Sequence, residues 1–214
     1  MNNYINNQDL LYDLHNYGAS LKFREIFLHN HYSDDGNPGV EYQMSNTFIK
    51  NLRCLELKSS DPITIHMHSI GGSWPDGMVI YDAIKMSKCY ITIIVYGQAE
   101  SMSSVVLQAA DTRYITANSY FMCHFGGSDV SGNYLDVQNW IRYEKNICEN
   151  MIDIYAQSCV GGKYFRDKYG SKPNIDKIKT YLYRKLKSGD WYMSAEDSVK
   201  YGFIDKVIHN WESE

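Results

Sequence analysis

Three short stretches of the chain hold residue types that could do covalent chemistry. Ser101 sits in GQAESMSS, directly after the apolar run CYITIIVYG (89–97) and at the expected first turn of a helix. A strand-to-helix turn exposes a hydroxyl at the edge of a sheet, where free N–H groups of the helix start can stabilise a nucleophile or an oxyanion. Alone the pattern is weak, because a serine at a helix start is usually a cap. Gly71 and Gly72 end one expected strand and open the next helix. Glycine lets the backbone approach a ligand and aim N–H groups at it, although a tight turn is its commoner use. His124 ends an apolar stretch about one strand–helix unit after Ser101, where an isolated histidine is more often structural.

Weaker signals surround these. His29/His31 and His66/His68 are His-x-His pairs whose side chains would share one face of a strand, a spacing that suits zinc. No acidic or cysteine ligands cluster beside them in sequence, so sheet-surface histidines are expected and no metal or other cofactor is assigned. Cys123 is adjacent to His124, but neighbouring strand residues point to opposite faces, which argues against a Cys–His pair. The five cysteines are widely spaced, odd in number and without a CxxC pair, as expected for reduced thiols in a reducing, cytoplasmic compartment.

These residues need a scaffold, and the chain has the composition for one. It holds 214 residues, 44% hydrophobic and 21% charged, enough for one substantial core. No apolar run approaches the ~20 residues of a membrane helix, and the first 18 residues lack the basic-then-apolar order of a secretory signal. The net charge of −4 disfavours nucleic acid as a partner. Charge is uneven: residues 163–187 hold nine Lys/Arg and two Asp. That tyrosine-interleaved stretch could bind nucleic acid, but a solvated helical insertion, or a surface facing an acidic neighbouring subunit, fits better.

Along the chain, the polar opening (1–23) reads as an arm or short helix. EIFLHNHY (25–32) reads as a strand, SDDGNPG (33–39) as a loop, and 40–57 as a helix. ITIHMHS (63–69) is a strand, GGSWPDG (71–77) a turn and 78–86 a helix. The run at 89–97 is a strand buried on both faces. AESMSSVVLQAA (99–110) reads as a helix, 113–116 and 120–125 as strands, and 134–159 as a long helix. The tail WYMSAEDSVKYGFIDKVI (191–208) gives a strand, a helix capped near Ser194, and a last strand. The alternation implies an α/β fold with a largely parallel sheet, as one domain over 24–209 with a short tail at 210–214.

Taken together, HMHSIGGSWPDGMVIYDAI, VYGQAESMSS, FMCHFGG and DWYMSAEDSVKYGFIDKVI resemble the Clp protease proteolytic subunit (ClpP) family, in order and over roughly residues 24–209. The resemblance implies the fold shared with crotonases: stacked strand–helix units, with the 134–159 helix as a projecting handle and 134–189 holding handle plus basic insertion. It implies a serine endopeptidase with Ser101 as nucleophile, His124 as general base and Asp190 orienting the imidazole. The backbone N–H groups of Gly72 and Met102 would form the oxyanion hole, with Ile70, Gly71, Phe125 and Gly126 along the substrate. It also implies assembly with itself into a heptamer or stacked tetradecamer. Polypeptide substrates would be fed by an ATP-driven AAA+ unfoldase, since the chain has no Gly-x-x-x-x-Gly-Lys loop of its own.

The departures from the family pattern are specific. Glu100 replaces a small residue before the nucleophile, and its place in the first helical turn suits a carboxylate. It could equally tune His124. Ile70 replaces a proline, Phe125-Gly126 replace Gln-Pro, and Ser188-Gly189 stand where the family has a Glu-Arg pair linking two rings. The segment between His124 and Asp190 is longer than in the family. At the unfoldase-docking positions His66, Met86, Tyr114 and Thr116, two of the four are polar, implying altered docking. The alternatives are a catalytically silent ring subunit, a crotonase-type acyl-CoA enzyme, and a phage-type protease acting on capsid proteins.

Overall fold

The computed structural model describes residues 7–29 and 39–210. The start of the 33–39 loop, the end of the 25–32 strand and His31 lie outside the described residues. The elements in chain order are α1 (Asn7–Tyr17), β1 (Ala19–Ser20), β2 (Glu25–His29), α2 (Tyr42–Lys58), β3 (Ile63–Ser69), α3 (Trp74–Met86), β4 (Ile91–Glu100) and α4 (Met102–Val106). They continue with β5 (Thr112–Thr116), β6 (Tyr120–Cys123), α5 (Tyr134–Cys159), α6 (Lys163–Tyr169), α7 (Ile175–Leu186), β7 (Trp191–Ser194), α8 (Ala195–Tyr201) and β8 (Lys206–Ile208). This is the expected α/β fold of strand–helix units on a mostly parallel sheet.

The sheet runs β1-β2-β3-β4-β5-β8, and every neighbouring pair except β1–β2 is parallel. Strands covered on both faces should lose the apolar/polar alternation, and Ile93, Ile94 and Val95 are all buried. At β4 the sheet branches. Thr92–Val95 pair with β5, whereas Gln98–Glu100 pair with β6, which in turn pairs antiparallel with β7. The branch falls at Gly97, which has a φ of +63° within the continuous strand, and the β3–β4 register shifts between Met67 and Ser69.

This branch corrects the reading of 99–110 as one helix. Ala99 and Glu100 are the last residues of β4, because the edge of β6 offers them a ladder. Tertiary pairing overrides local helix preference here. Glu100 is therefore a strand residue, not one of a first helical turn. Helix α4 begins only at Met102 and passes into a 3₁₀ turn at Leu107–Ala109. Likewise α3 begins at Trp74 rather than 78. The Ser73 hydroxyl accepts from the Asp76 N–H (3.4 Å), and Pro75 sits in the first turn, where its missing N–H costs nothing. The Ser194 cap of α8 is as expected, accepting from the Asp197 N–H at 3.1 Å.

Helix α5 is 26 residues, about 39 Å long at 1.5 Å per residue. Its buried residues, Met151, Ile152, Tyr155, Ala156 and Cys159, all lie toward its C-terminus, while Tyr134, Leu135, Ile141 and Tyr143 are exposed. The helix is thus rooted at one end and projects at the other, as the handle reading expects.

The basic stretch is not a solvated insertion. Phe165 of α6 and Ile178, Leu182 and Leu186 of α7 are buried in the main core, and α7 packs along α5. Lys179 of α7 pairs with Asp153 of α5 at 2.8 Å. Lys168 lies 4.7 Å from the Tyr181 ring centre and Lys185 5.3 Å from that of Trp191. Part of the positive charge is therefore laid on aromatic faces inside the subunit.

Candidate active site

Ser101 occupies the single residue between β4 and α4. Its backbone has φ +53° and ψ −125°, a conformation that a residue with a Cβ adopts only when its surroundings impose it. Those surroundings are visible. The Ser101 N–H donates to the Met122 carbonyl (3.0 Å), continuing the β4–β6 ladder. The Ser101 carbonyl accepts from the Ser104 N–H (3.0 Å) and the Ser104 hydroxyl (2.6 Å). The Ser104 oxygen lies 2.6 Å from the hydroxyl of Tyr155, wholly buried in α5. Ser104 has one proton, and a carbonyl cannot donate, so Tyr155 is the donor in that second bond.

Although Ser101 stands at the cap position of α4, its hydroxyl makes no capping bond. Instead Oγ lies 2.8 Å from His124 Nε2, and His124 Nδ1 lies 3.1 Å from Asp190 Oδ1. A proton on Nδ1, donated to the carboxylate, leaves Nε2 as acceptor for the serine O–H. His124 is the first residue after β6 and Asp190 the last before β7. The His124 side chain is 25% exposed and that of Asp190 53%, so the histidine can be reached from solvent without being bathed in it.

The glycine pair lies against this serine. A side chain on Gly71 (φ +92°) would strike the Glu100 carbonyl and the Met102 N–H, and one on Gly72 (φ +150°) would strike Val40. The turn is pinned by the Val40 N–H donating to the Gly71 carbonyl (2.5 Å) and the Ser73 N–H to the Val40 carbonyl (2.8 Å). From the other side, Ser103 donates to the buried Ser69 hydroxyl (2.6 Å), which accepts from the Gly71 N–H (3.3 Å). The Met102 side chain lies against Gly77 of α3, and the Met102 N–H, at a helix start, has no intrahelical acceptor.

Beside Ser101 opens a cavity of about 530 Å³, lined by Gly72, Met102, His124, Phe125 and Gly126 among others. Of the remaining expected contacts, Ile70 is exposed on the turn and Gly71 is buried behind it; neither reaches the cavity. The sequence reading missed the wall supplied by α5: Trp140, Tyr143, Glu144, Ile147 and Met151. Their spacing of 3, 1, 3 and 4 residues marks one helical face and was the available signal.

Glu100 is half-buried, and its carboxyl is raised above the usual range, first by burial, with nearby Asp190 adding to the rise and nearby His124 opposing it. Burial also pushes the Cys123 thiol far up, and the residue is fully enclosed in the core. It is an inert core thiol. His66 is not a surface residue: it is buried, stacked on Phe27 at 4.5 Å, with Nδ1 3.0 Å from the Tyr96 hydroxyl. Among the described residues no cluster of three or more His, Cys, Asp and Glu could hold a metal ion, and no helix is long and apolar enough to cross a membrane.

A hydroxyl hydrogen-bonded to an imidazole that is itself oriented by a carboxylate can attack an acyl carbon, and N–H groups at a helix start or a glycine turn are of the kind that can receive the negative oxygen. Comparison with known proteins bears on this arrangement. A family model described as Clp protease matches residues 14–211. The chain is 30% identical over 200 residues to the ATP-dependent Clp protease proteolytic subunit of Deinococcus radiodurans, covering 92% of this chain and 85% of that one. It is 26% identical over 191 residues to the ATP-dependent Clp protease proteolytic subunit 2 of Pseudomonas aeruginosa, covering 88% and 83%.

Proposed function

Because the chain belongs to the Clp protease family, we propose that it is a serine endopeptidase with Ser101, His124 and Asp190 as its catalytic triad. The observation that carries this reading is the pair of hydrogen bonds through His124, 2.8 Å to Ser101 and 3.1 Å to Asp190. Ser101 Oγ attacks the peptide carbonyl as its proton passes to Nε2. The carbonyl oxygen takes the negative charge and is held by the N–H groups of Gly72 and Met102. Collapse breaks the C–N bond, and the proton on Nε2 goes to the leaving amine. Water then repeats the sequence on the acyl-enzyme. Asp190 keeps the imidazole in the right tautomer and stabilises its charged form.

The family reading extends to assembly. Identical subunits form a heptameric ring with the active sites inside, and polypeptide is delivered by an ATP-driven unfoldase in the cytoplasm. Where a second ring stacks, contacts other than a Glu-Arg pair hold it, since Ser188-Gly189 occupy those positions. The unfoldase meets an altered surface: Met86 is 82% exposed, but His66 is buried against Phe27 and Tyr96.

Reaction with a fluorophosphonate probe tests the chemistry. Labelling of the wild type, absent in Ser101→Ala, is the expected result; equal labelling of both removes Ser101 as the nucleophile. Mass photometry at micromolar concentration should show a ring of seven subunits or a pair of such rings. Monomer alone would remove the assembly reading.

A further inference from the structure

We propose that Glu144 sets the specificity of this site, selecting lysine or arginine as the residue whose carbonyl is attacked. The proposal rests on reading Ser101 as the nucleophile. The proposal also reads the cavity beside Ser101, lined by Gly72 and Met102, the expected oxyanion donors, as the space for the side chain on the acyl side of the scissile bond. Its lining is largely apolar and includes Trp74, Val105, Ile147 and Met151. Apart from His124, Glu144 is the one titratable carboxylate or base among its described lining residues besides the phenol of Tyr143.

Several observations fit a cationic occupant. Glu144 is half-buried, and among the described residues no ion pair engages it. Its neighbour Lys145 faces a different groove, where it pairs with Glu149 at 3.6 Å. Trp140 and Tyr143, with ring centres 5.6 Å apart, line the same cavity. An aliphatic stem fits the apolar wall while a charged head reaches a carboxylate and aromatic faces. A purely apolar side chain would desolvate Glu144 and return nothing for it, and an acidic one would be repelled.

The test uses peptides that differ only in the residue before the cleaved bond: lysine, norleucine or glutamate. Wild-type kcat/KM should favour lysine over norleucine by about tenfold, a modest charge-pair effect expressed in the transition state. That ratio should fall to about one in Glu144→Gln, and Glu144→Lys should favour glutamate over lysine. Comparing ratios within each protein removes any loss of folded enzyme. Equal turnover of lysine and norleucine peptides by the wild type, or a lysine preference that survives Glu144→Gln, overturns the proposal. Fluorophosphonate labelling separates the two readings. If Ser101 does not react, the peptidase reading fails by itself. The pocket is then tested by fluorescence anisotropy with peptides ending in lysine or norleucine. Tighter binding of the lysine peptide that Glu144→Gln abolishes supports the charge recognition, and equal affinity overturns it.

Discussion

His124 and Asp190 stand directly opposite each other, one step beyond the last pair of the β6–β7 ladder, Cys123 and Trp191. Their hydrogen bond is thus a cross-strand pair, held at the close spacing that antiparallel neighbours have. The β4–β6 register does the same for the serine: Glu100 pairs with Met122, and the Ser101 N–H binds the Met122 carbonyl. Three adjacent strand ends therefore set three side chains in a row.

If that cross-strand bond fixes the imidazole tautomer, Asp190→Asn should lower kcat by roughly 10²–10⁴-fold. KM should change little, since Asp190 does not line the cavity. Steady-state kinetics on a short fluorogenic peptide decide this. A kcat within threefold of wild type would mean that Asp190 does not orient the base.

Glu100 should make stability depend on pH through its raised carboxyl. A carboxyl raised by burial contributes stability below its ordinary titration range and loses it as pH rises through its folded value. Glu100→Gln should therefore melt higher than wild type at pH 7, with the gap closing below about pH 4. Superimposable melting curves at pH 7 would mean that burial does not raise this carboxyl.

Tyr155→Phe removes the donor that fills the Ser104 hydroxyl, itself bonded to the Ser101 carbonyl. Leaving that buried acceptor unfilled should cost about 1–3 kcal/mol, a fall in Tm of roughly 2–12 °C for a chain of this size. Differential scanning calorimetry tests this, and an unchanged Tm would show that the bond carries no net stability.

Leu182→Ala should destabilise the subunit by about 2–5 kcal/mol, because Leu182 is fully enclosed in the main core. Deleting 163–187 should yield unfolded or insoluble protein rather than a smaller, folded subunit, since Phe165, Ile178 and Leu186 go with it. Denaturant melts measure the first, and recovery of soluble protein the second. A well-folded deletion variant would restore the idea of an appended insertion.

The sequence shows the fold where one signal dominates. The bounds expected for ITIHMHS (63–69) and for the long helix (134–159) are those of β3 and α5. It misleads where two signals compete. GGSWPDG looks like a turn, yet Ser73 and Pro75 are also good helix-start residues, and the helix wins. AESMSSVV looks helical until β6 pairs with its first residues. In 163–187 the density of lysine and arginine draws attention from Ile178, Leu182 and Leu186, spaced four apart and all buried. At the site, Ser101 and His124 have recognisable local settings. Asp190 has none; it lies 66 residues beyond His124 and is brought there by a strand pairing that no local pattern announces. The Ser104–Tyr155 bond is hidden for the same reason.

The branching of β4 at Gly97 divides the molecule's cohesion. Ser101 hangs on a strand whose earlier half is sealed within the large sheet, whereas Asp190 is carried by β7, a four-residue strand whose only ladder is to β6 among the described residues. Fraying of that short outer strand can part the carboxylate from the imidazole while the serine keeps its place. Backbone amides of β7 should then exchange with deuterium sooner than those of Ile93–Val95, and the folded subunit lies only one local opening away from losing the His124–Asp190 bond.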